Sequence, residues 1–523
     1  MGSAENTWIV WKEDSGKIKL VSKSGTEGML PKGAYLTIND EDFKCKFILR
    51  VDESHQQEPF EPTPLIADMD MSGLSPDRQC KNIVSAYRVK TIGDLDSDLI
   101  PYIRPLSIAV RSTQEEIDRA MGSSENLGPA VFVATLFANE NRVLRDSNKK
   151  PIIARLPEDF YYYQTMICGK TGSGKTVAMK YLAQHFVESK NGAVLAINVK
   201  EKDLLTMDQP SSTSRKSVEE EWSSLGEEPH GVGAYTVYYP AAKRPVKGIT
   251  AEKCGITLRV DDIEPEALTG ALTGITDLAV MILPDIFRYW REEVAIKYKQ
   301  RVKFSDFVEY FFGNSDRKFD TKNVRGDKGH VPLHPGTYES LKRCLNTAAP
   351  FFDNEGAKML DYGDILSPGK MSVIDVTSDI QFGALVLRDI LKRLVKAKSE
   401  DLSKTDLLII IDEVHQFYNA SNSRDALDDL DTICRTGRSK KMGVIFASQN
   451  PNDMPSGISS VVNTKIYFRT EAQGLKDMGT KISSDEFESL KSGFAIASIY
   501  GISQLRVMKF PLSLAGVSDE SKH

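Results

Sequence analysis

Eight consecutive residues, Gly169-Lys170-Thr171-Gly172-Ser173-Gly174-Lys175-Thr176, restrict what this chain can fold into more than any other part of it. They satisfy the pattern GxxxxGK[ST] and lie between an apolar run, YYYQTMIC (161–168), and a segment with helical periodicity, VAMKYLAQHFVES. Glycines let backbone N–H groups curl around phosphate oxygens, and the helix that follows turns its positive N-terminal end toward them. Lys175 then reaches the β- and γ-phosphates, Thr176 ligates Mg²⁺, and Val177 closes the nucleotide-contacting run. Strand, glycine loop and helix in this order predict an ATP-binding α/β fold.

Such a site needs a carboxylate at the end of a neighbouring buried strand. LLIII (407–411) followed by Asp412-Glu413 supplies it. Asp412 is expected to hold Mg²⁺ and Glu413 to polarise the attacking water, which fits hydrolysis rather than phosphorylation of a metabolite. The next apolar strand, GVIFAS (443–448), leads into Gln449, expected to sense the γ-phosphate or orient water. Before that strand stand Arg435, Arg438, Lys440 and Lys441. Either they form a solvated helix end favoured by the macrodipole, or an arginine enters the ATP site of a neighbouring subunit and stabilises transition-state charge.

Further strands are expected at AVLAIN (193–198), AYTVYY (234–239), MSVIDV (371–376), TKIYFR (464–469) and FAIASIY (494–500). Alternating with helices, they predict a parallel sheet with crossovers. The roughly 130 residues between the AYTVYY and MSVIDV strands have helical periodicity and are too long for a loop, so a helical subdomain is expected there. The polar stretch 207–231 reads as a mobile surface excursion. The first 150 residues are short β-rich runs, from TWIVWKED to AVFVATLF, and suggest a small barrel or sandwich. One helix is expected within them at STQEEIDRAM, with Ser112 as cap and Glu115 closing a capping box.

The chain of 523 residues carries 67 Lys+Arg against 73 Asp+Glu, a net charge of −6. That balance excludes a protein coated with positive charge for nucleic acid or membrane. Any DNA contact is confined to local clusters: Lys243-Arg244 with Lys247, Arg317-Lys318 with Lys322, Arg325 and Lys328, and Lys440-Lys441. For each, an ordinary solvated face is the competing reading. No helix-turn-helix or zinc finger is present, so binding would be independent of sequence. Six cysteines are too scattered for a zinc knuckle or a redox pair and read as reduced thiols in a cytoplasm. His330 and His334 lie among prolines that oppose a helix, and no metal site is expected there. The best membrane candidate, 268–284, is interrupted by Gly270, Gly274 and Asp277, short of the ~18–20 continuous apolar residues of a span.

The P-loop, LLIIIDEVHQF, GRSKKMGVIFASQN and the strand-rich start together resemble a HerA-type ATPase of the HerA/FtsK translocase group. The resemblance implies an N-terminal β-barrel of the HAS type over 1–150 and a RecA-like core over 151–249 and 366–512. It further implies an inserted helical subdomain over 250–365 and a tail over 513–523. Gln449 becomes the sensor and Arg438 the trans-acting finger, with Arg435 its nearest competitor because the local run is looser than the family's GRK. NVKEKDLL departs from the family pattern, with Asn198 where many relatives have Asp and Glu201 where glycine is usual; Asn198 is taken as a nucleotide-side polar residue. The resemblance also implies a homo-hexamer with ATP at subunit interfaces and double-stranded DNA in the pore. The partner would be a NurA-like nuclease, a sirtuin-like protein or another antiviral-defence effector. An alternative is a ring scaffold that assembles and licenses an effector without processive translocation. A conjugation or secretion ATPase is disfavoured for want of a membrane anchor.

Overall fold

The structure is a computed structural model that describes residues 7–22, 29–57, 81–93, 100–123, 127–137, 140–200, 202–271, 277–298, 301–418, 430, 432–435, 437–454, 461–471 and 483–519. It divides into two compact units, one of residues 1–158 with 478–510, the other of 159–477 with 511–523.

The first unit opens with strands β1 (Thr7–Asp14), β2 (Lys17–Ser22), β3 (Tyr35–Asp40), β4 (Cys45–Gln57), β5 (Lys81–Ile92) and β6 (Ile108–Arg111). They close as an antiparallel barrel in the order β1-β2-β5-β4-β3-β6. The period-2 alternation of the sequence decides which side chains go in: Val10, Ile18, Leu20, Leu36, Ile38, Phe47, Leu49 and Val84 are all buried in one core. A small barrel leaves no sheet edge exposed.

Helix α1 (Gln114–Met121) is capped one residue later than the sequence suggested. Thr113 accepts from the Glu116 N–H, and the Glu116 carboxylate accepts from the Thr113 N–H. Ser112 and Glu115 do not make the box, because the buried Ser112 instead receives the Thr37 hydroxyl at 2.9 Å. After it come β7 (Ala130–Phe137), β8 (Glu140–Val143) and β9 (Ile153–Arg155). AVFVATLF is therefore not a barrel strand: β7 pairs antiparallel with β8 and β9, outside the barrel.

The second unit contains β10 (Thr165–Cys168), α2 (Lys175–Lys190), β11 (Ala193–Asn198), β12 (Ser212–Thr213), α3 (Lys216–Leu225), β13 (Ala234–Pro240) and β14 (Glu252–Ile256). Then follow α4 (Asp277–Tyr289), α5 (Phe304–Gly313), β15 (Lys318–Lys322), β16 (Lys328–Pro332), α6 (Pro335–Ala348) and α7 (Tyr362–Ile365). It continues with β17 (Lys370–Asp375), α8 (Ile380–Ser399), β18 (Leu407–Ile411), β19 (Met442–Ser448) and β20 (Thr464–Tyr467). Eight of these strands form a parallel sheet, β14-β13-β17-β11-β18-β19-β10-β20. The central members β10, β11, β18 and β19 are buried along their whole length, as continuous apolar runs require when both faces are covered.

The insertion between β14 and β17 is helical around an aromatic core. Phe287, Trp290, Phe304 and Phe307 pack with ring centroids 4.9 to 5.8 Å apart. It also holds the antiparallel hairpin β15–β16, which helical periodicity did not suggest. Within it His330 Nδ1 lies 2.9 Å from Asp320, and Lys322 pairs with Glu292 and Glu293. No helix among the described residues is long and apolar enough to cross a membrane.

Two late segments differ from the sequence reading. FAIASIY is a strand, but its partner strand runs antiparallel to it. It forms β21 (Phe494–Ser498), antiparallel to β22 (Val507–Lys509), which in turn pairs with β7 in the first unit. The stretch 207–231 is not a loose excursion: α3 buries Val218 and Trp222 against Leu514, and the Trp222 indole donates to the Leu512 carbonyl at 2.8 Å. β12 pairs in parallel with β23 (Ser518–Asp519), so residues 511–519 strap across this region.

The strap reaches the P-loop helix through Lys180, which is 5% exposed and donates to the Gly516 carbonyl at 2.5 Å. Burial lowers the Lys180 pKa to about 8, against the nearby charge of Asp203. The unfolded chain keeps that proton until about pH 10.4, so between these values the unfolded state holds more protons and this group's contribution to stability rises with pH. The melting temperature of wild type relative to Lys180→Met is therefore expected to climb from pH 7.5 to 10, a gain of at most about 3 kcal/mol. A flat difference across a calorimetric pH series contradicts this.

Candidate active site

Every parallel strand delivers its C-terminal end to the same edge of the sheet, and β11-β18-β19-β10 are consecutive neighbours there. The loop after β10 is the glycine loop. Its path is fixed by Gly169 N–H donating to the Ser448 carbonyl at 3.1 Å and Lys170 N–H to the Arg469 carbonyl at 2.8 Å. Gly169 must be glycine, because a Cβ there would lie 2.5 Å from Ser173 Oγ and 2.8 Å from Phe468 Cβ. Gly172 (φ 76°) and Gly174 (φ 105°) take the left-handed conformations that turn the loop into α2. Thr171 is exposed and Lys170 Nζ lies 3.8 Å from Glu471, whereas Lys175 is buried; Thr176 and Val177 are half-buried in the first turn of α2.

Beside the loop, β18 ends in Asp412 and Glu413, both buried. Glu413 is itself left-handed (φ 46°), and its N–H donates to Asp412 Oδ1 at 2.9 Å. Its Oε1 accepts from Lys175 Nζ at 3.2 Å, from Gln449 Nε2 at 3.0 Å and from Lys200 Nζ. Lys175 Nζ also lies 3.6 Å from Asp412 Oδ1. Burial pushes the Glu413 carboxyl up, but the Lys200 hydrogen bond, the Lys175 charge and Gln449 outweigh it and hold the pKa below the usual range. Asp412 goes the other way: burial raises it, and the charges of Lys175 and Lys200 only partly offset that. The two buried acids are thus shifted in opposite directions, Glu413 down and Asp412 up.

The structure brings together Lys175, Asp412, Glu413 and Gln449, with Thr176 at the start of the helix. Thr176 Oγ1 lies 3.4 Å from Asp203 Oδ2. Asn198, expected to face nucleotide, is instead 1% exposed and serves as a clamp: its Oδ1 accepts the Leu204 N–H at 3.0 Å and its amide lies 3.5 Å from Asp375. Glu201 lies outside the described residues. Lys200 and Asp203, both from NVKEKDLL, escaped the sequence reading, although two charged residues beyond a strand tip on the phosphate side were the available signal.

Arg435 and Arg438 are not at this site. Both are exposed, Arg438 with its guanidinium 4.6 Å over the Tyr163 ring, just before β19 begins. The seven residues of β19 separate that end from Gln449, about 20 Å at the ~3.3 Å rise of a parallel strand. Of the other cations, Lys440 pairs with Asp401 at 3.2 Å and Lys441 lies over Tyr162. The cluster therefore occupies the N-terminal edge of the sheet, opposite its own phosphate loop.

A Mg²⁺ ion that keeps several waters and two phosphate ligands needs only a hydroxyl and one carboxylate from the protein. Thr176 and Asp412 have the right donor types and lie on the loop and strand that flank the phosphate position. Among the described residues no cluster of three or more His, Cys, Asp or Glu offers an all-protein metal cage.

The sheet and this edge define a RecA-like P-loop NTPase. The chain belongs to the HerA-like ATPase family: "Helicase HerA, central domain" matches residues 164–394 and "Helicase HerA-like C-terminal" matches 381–487. A search of curated proteins gave no match. Among solved structures the chain is similar to VirB4 of Thermoanaerobacter pseudethanolicus, at 14% identity over 74% of this chain and 96% of that one with a TM-score of 0.42. It is likewise similar to the bacterial conjugative coupling protein TrwB, at 14% identity over 80% and 95% with a TM-score of 0.47. The genome packaging NTPase B204 of Sulfolobus turreted icosahedral virus 2 shares 19% identity over 29% and 71%, with a TM-score of 0.21.

Because Gly169 has no room for a methyl group, Gly169→Ala should distort the loop without unfolding the sheet. Titration with a fluorescent ATP analogue is expected to show at least a tenfold loss of affinity, about 1.4 kcal/mol, with an unchanged circular dichroism spectrum. Wild-type affinity in the variant would contradict the role given to the loop.

Proposed function

We propose that this chain is an ATP-hydrolysing hexameric motor that moves on double-stranded DNA together with a nuclease or antiviral-defence effector. The observation that carries the hydrolytic part is the buried, anionic Glu413 beside Lys175 and Gln449 at the edge where the γ-phosphate would lie. In this reading the loop N–H groups and Lys175 bind phosphate, Gln449 reports the γ-phosphate, and Glu413 takes the proton of the attacking water. Thr176 and Asp412 would hold Mg²⁺, which supplies charge neutralisation between the β- and γ-phosphates.

The position of Arg438 supports assembly. It stands about 20 Å from its own phosphate loop along β19, so an arginine finger drawn from this cluster has to serve another subunit's site. DNA contacts would come from exposed cations such as Arg244, Lys247 and Arg325 converging from several copies in the pore.

A second reading, a ring scaffold that licenses an effector, is favoured by the acids that occupy the basic clusters. Lys243 lies 3.7 Å from Asp379, Lys322 and Lys328 face Glu292 and Glu293, and Lys440 faces Asp401. The two readings separate on one comparison. For the motor, ATP turnover rises with linear duplex DNA, and Lys175→Ala or Glu413→Gln lowers it by at least about 100-fold. For the scaffold, turnover ignores DNA and Glu413→Gln, still binding ATP, preserves effector activity.

The finger has its own test. Arg438→Ala and Lys175→Ala subunits, each inactive alone, are expected to regain part of the activity when mixed, because some interfaces then pair an intact site with an intact arginine. No recovery in rings shown to contain both variants, with recovery for Arg435→Ala instead, assigns the finger to Arg435.

A further inference from the structure

The two oxygens of Glu413 are treated unequally. Oε1 takes three donors: Lys175 at 3.2 Å, Gln449 at 3.0 Å and Lys200. Oε2 has no hydrogen-bond partner among the described residues, although it is buried, and the nearest titratable neighbour is His415 Nδ1 at 3.7 Å, a buried nitrogen that is also unpartnered. One oxygen takes three donors and the other takes none.

The three donors are not equivalent. Lys175 belongs to the phosphate loop and Gln449 to the tip of β19, both on one flank of β18, and both have a phosphate to bind when nucleotide is present. Lys200 follows β11 on the opposite flank of β18. It belongs to neither the phosphate loop nor the strand tip beside it, and it reaches the shared Oε1 from the β11 side. When nucleotide recruits Lys175 and Gln449, Lys200 is the donor that stays. A buried carboxylate stripped of every partner is strongly unfavourable and would rotate away to find one.

We propose that Lys200 is a positioning residue for ATP hydrolysis: its ammonium holds Oε1 of Glu413 while nucleotide is bound, so that Oε2 is the oxygen presented to the attacking water. The loop that carries it is set by Asn198, which takes the Leu204 N–H, and by the Tyr235 hydroxyl donating to the Leu204 carbonyl at 2.5 Å. This assignment rests on the chain being an ATPase.

The experiment uses the full chain with MgATP and compares wild type with Lys200→Ala, Lys200→Met and Lys200→Arg. Steady-state kinetics are read beside equilibrium binding of a fluorescent ATP analogue and of its ADP counterpart. For Ala and Met, kcat is expected to fall about 100-fold, the scale on which a misplaced catalytic group costs rate, while KM and both dissociation constants stay within about threefold of wild type. Arg, which keeps the charge, is expected to recover at least tenfold of the loss. Met preserves the aliphatic stem, so a failure of Ala to fold leaves the measurement intact. Loss of ATP affinity with ADP affinity retained would make Lys200 a γ-phosphate ligand and overturn the proposal. Raised turnover would make it a restraint on Glu413, and unchanged kcat would make it a bystander; either overturns it as well. Absence of hydrolysis in wild type refutes the ATPase reading itself, whereas wild-type turnover with an unaltered Ala variant refutes only the role of Lys200.

Discussion

A buried carboxylate held anionic by its partners is the constraint around which the motor unit is arranged. Glu413 is fully buried, and taking such a charge out of water costs several kcal/mol unless partners replace the hydration. Those partners come from three different strand ends: Lys175 after β10, Gln449 after β19 and Lys200 after β11, with β18 presenting the acid between them. Only a parallel sheet gathers the C-terminal ends of four strands on one edge, and only this strand order makes them neighbours. The left-handed backbone of Glu413 adds a further cost of about 1–2 kcal/mol, offset in part by its N–H donating to Asp412. The strain and the buried charge belong to the same residue, as is common where a site is preorganised.

The same edge is tied to the rest of the unit through one short loop. Asn198 fixes Leu204, which places Lys200 and Asp203 between clamp and turn; Asp203 then lies against Thr176. The buried Asn198 therefore holds the loop whose Lys200 touches Glu413 and whose Asp203 touches Thr176. Four residues along α2 from Thr176, Lys180 anchors the strap at Gly516. The P-loop helix is therefore held at its phosphate end by Asp203 and farther along by the strap, and both holds are single polar contacts that a ligand could compete for.

What was legible in the sequence was whatever rests on local spacing. The phosphate loop, the acidic pair and Gln449 are each defined by residues adjacent to an apolar strand, and a buried parallel strand is an uninterrupted apolar run. Lys200 was missed because no local motif marks it and its partner Glu413 lies 213 positions away. The helix cap slipped by one because Ser112-Thr113 and Glu115-Glu116 offer two overlapping boxes; Thr37, which reaches both Ser112 and Glu116, decides between them. FAIASIY is a strand as expected, but a short apolar run does not say whether its neighbour is parallel or antiparallel, and β22 runs antiparallel to it. The stretch 207–231 looked unanchored because its partner, Leu512 to Asp519, lies some 300 residues away in the chain.

The distribution of cations over the sheet follows from the same geometry. At the C-terminal edge, Lys175 and Lys200 both face Glu413, so the acid offsets their charge. Cations at the N-terminal edge are held differently: Arg438 and Lys441 rest on the rings of Tyr163 and Tyr162, which immediately precede β10. A guanidinium on an aromatic face gains about 0.5–1 kcal/mol at an exposed site, enough to fix direction yet far less than a buried ion pair. Tyr162 and Tyr163 are themselves buried, so the platform is rigid while the cation on it is exposed. An arginine held in this way is ordered at low cost in entropy while staying exposed, so leaving its ring would strand no buried charge. A chain built so keeps its buried acid, Glu413, at one edge of the sheet and an exposed, ring-stacked arginine at the other.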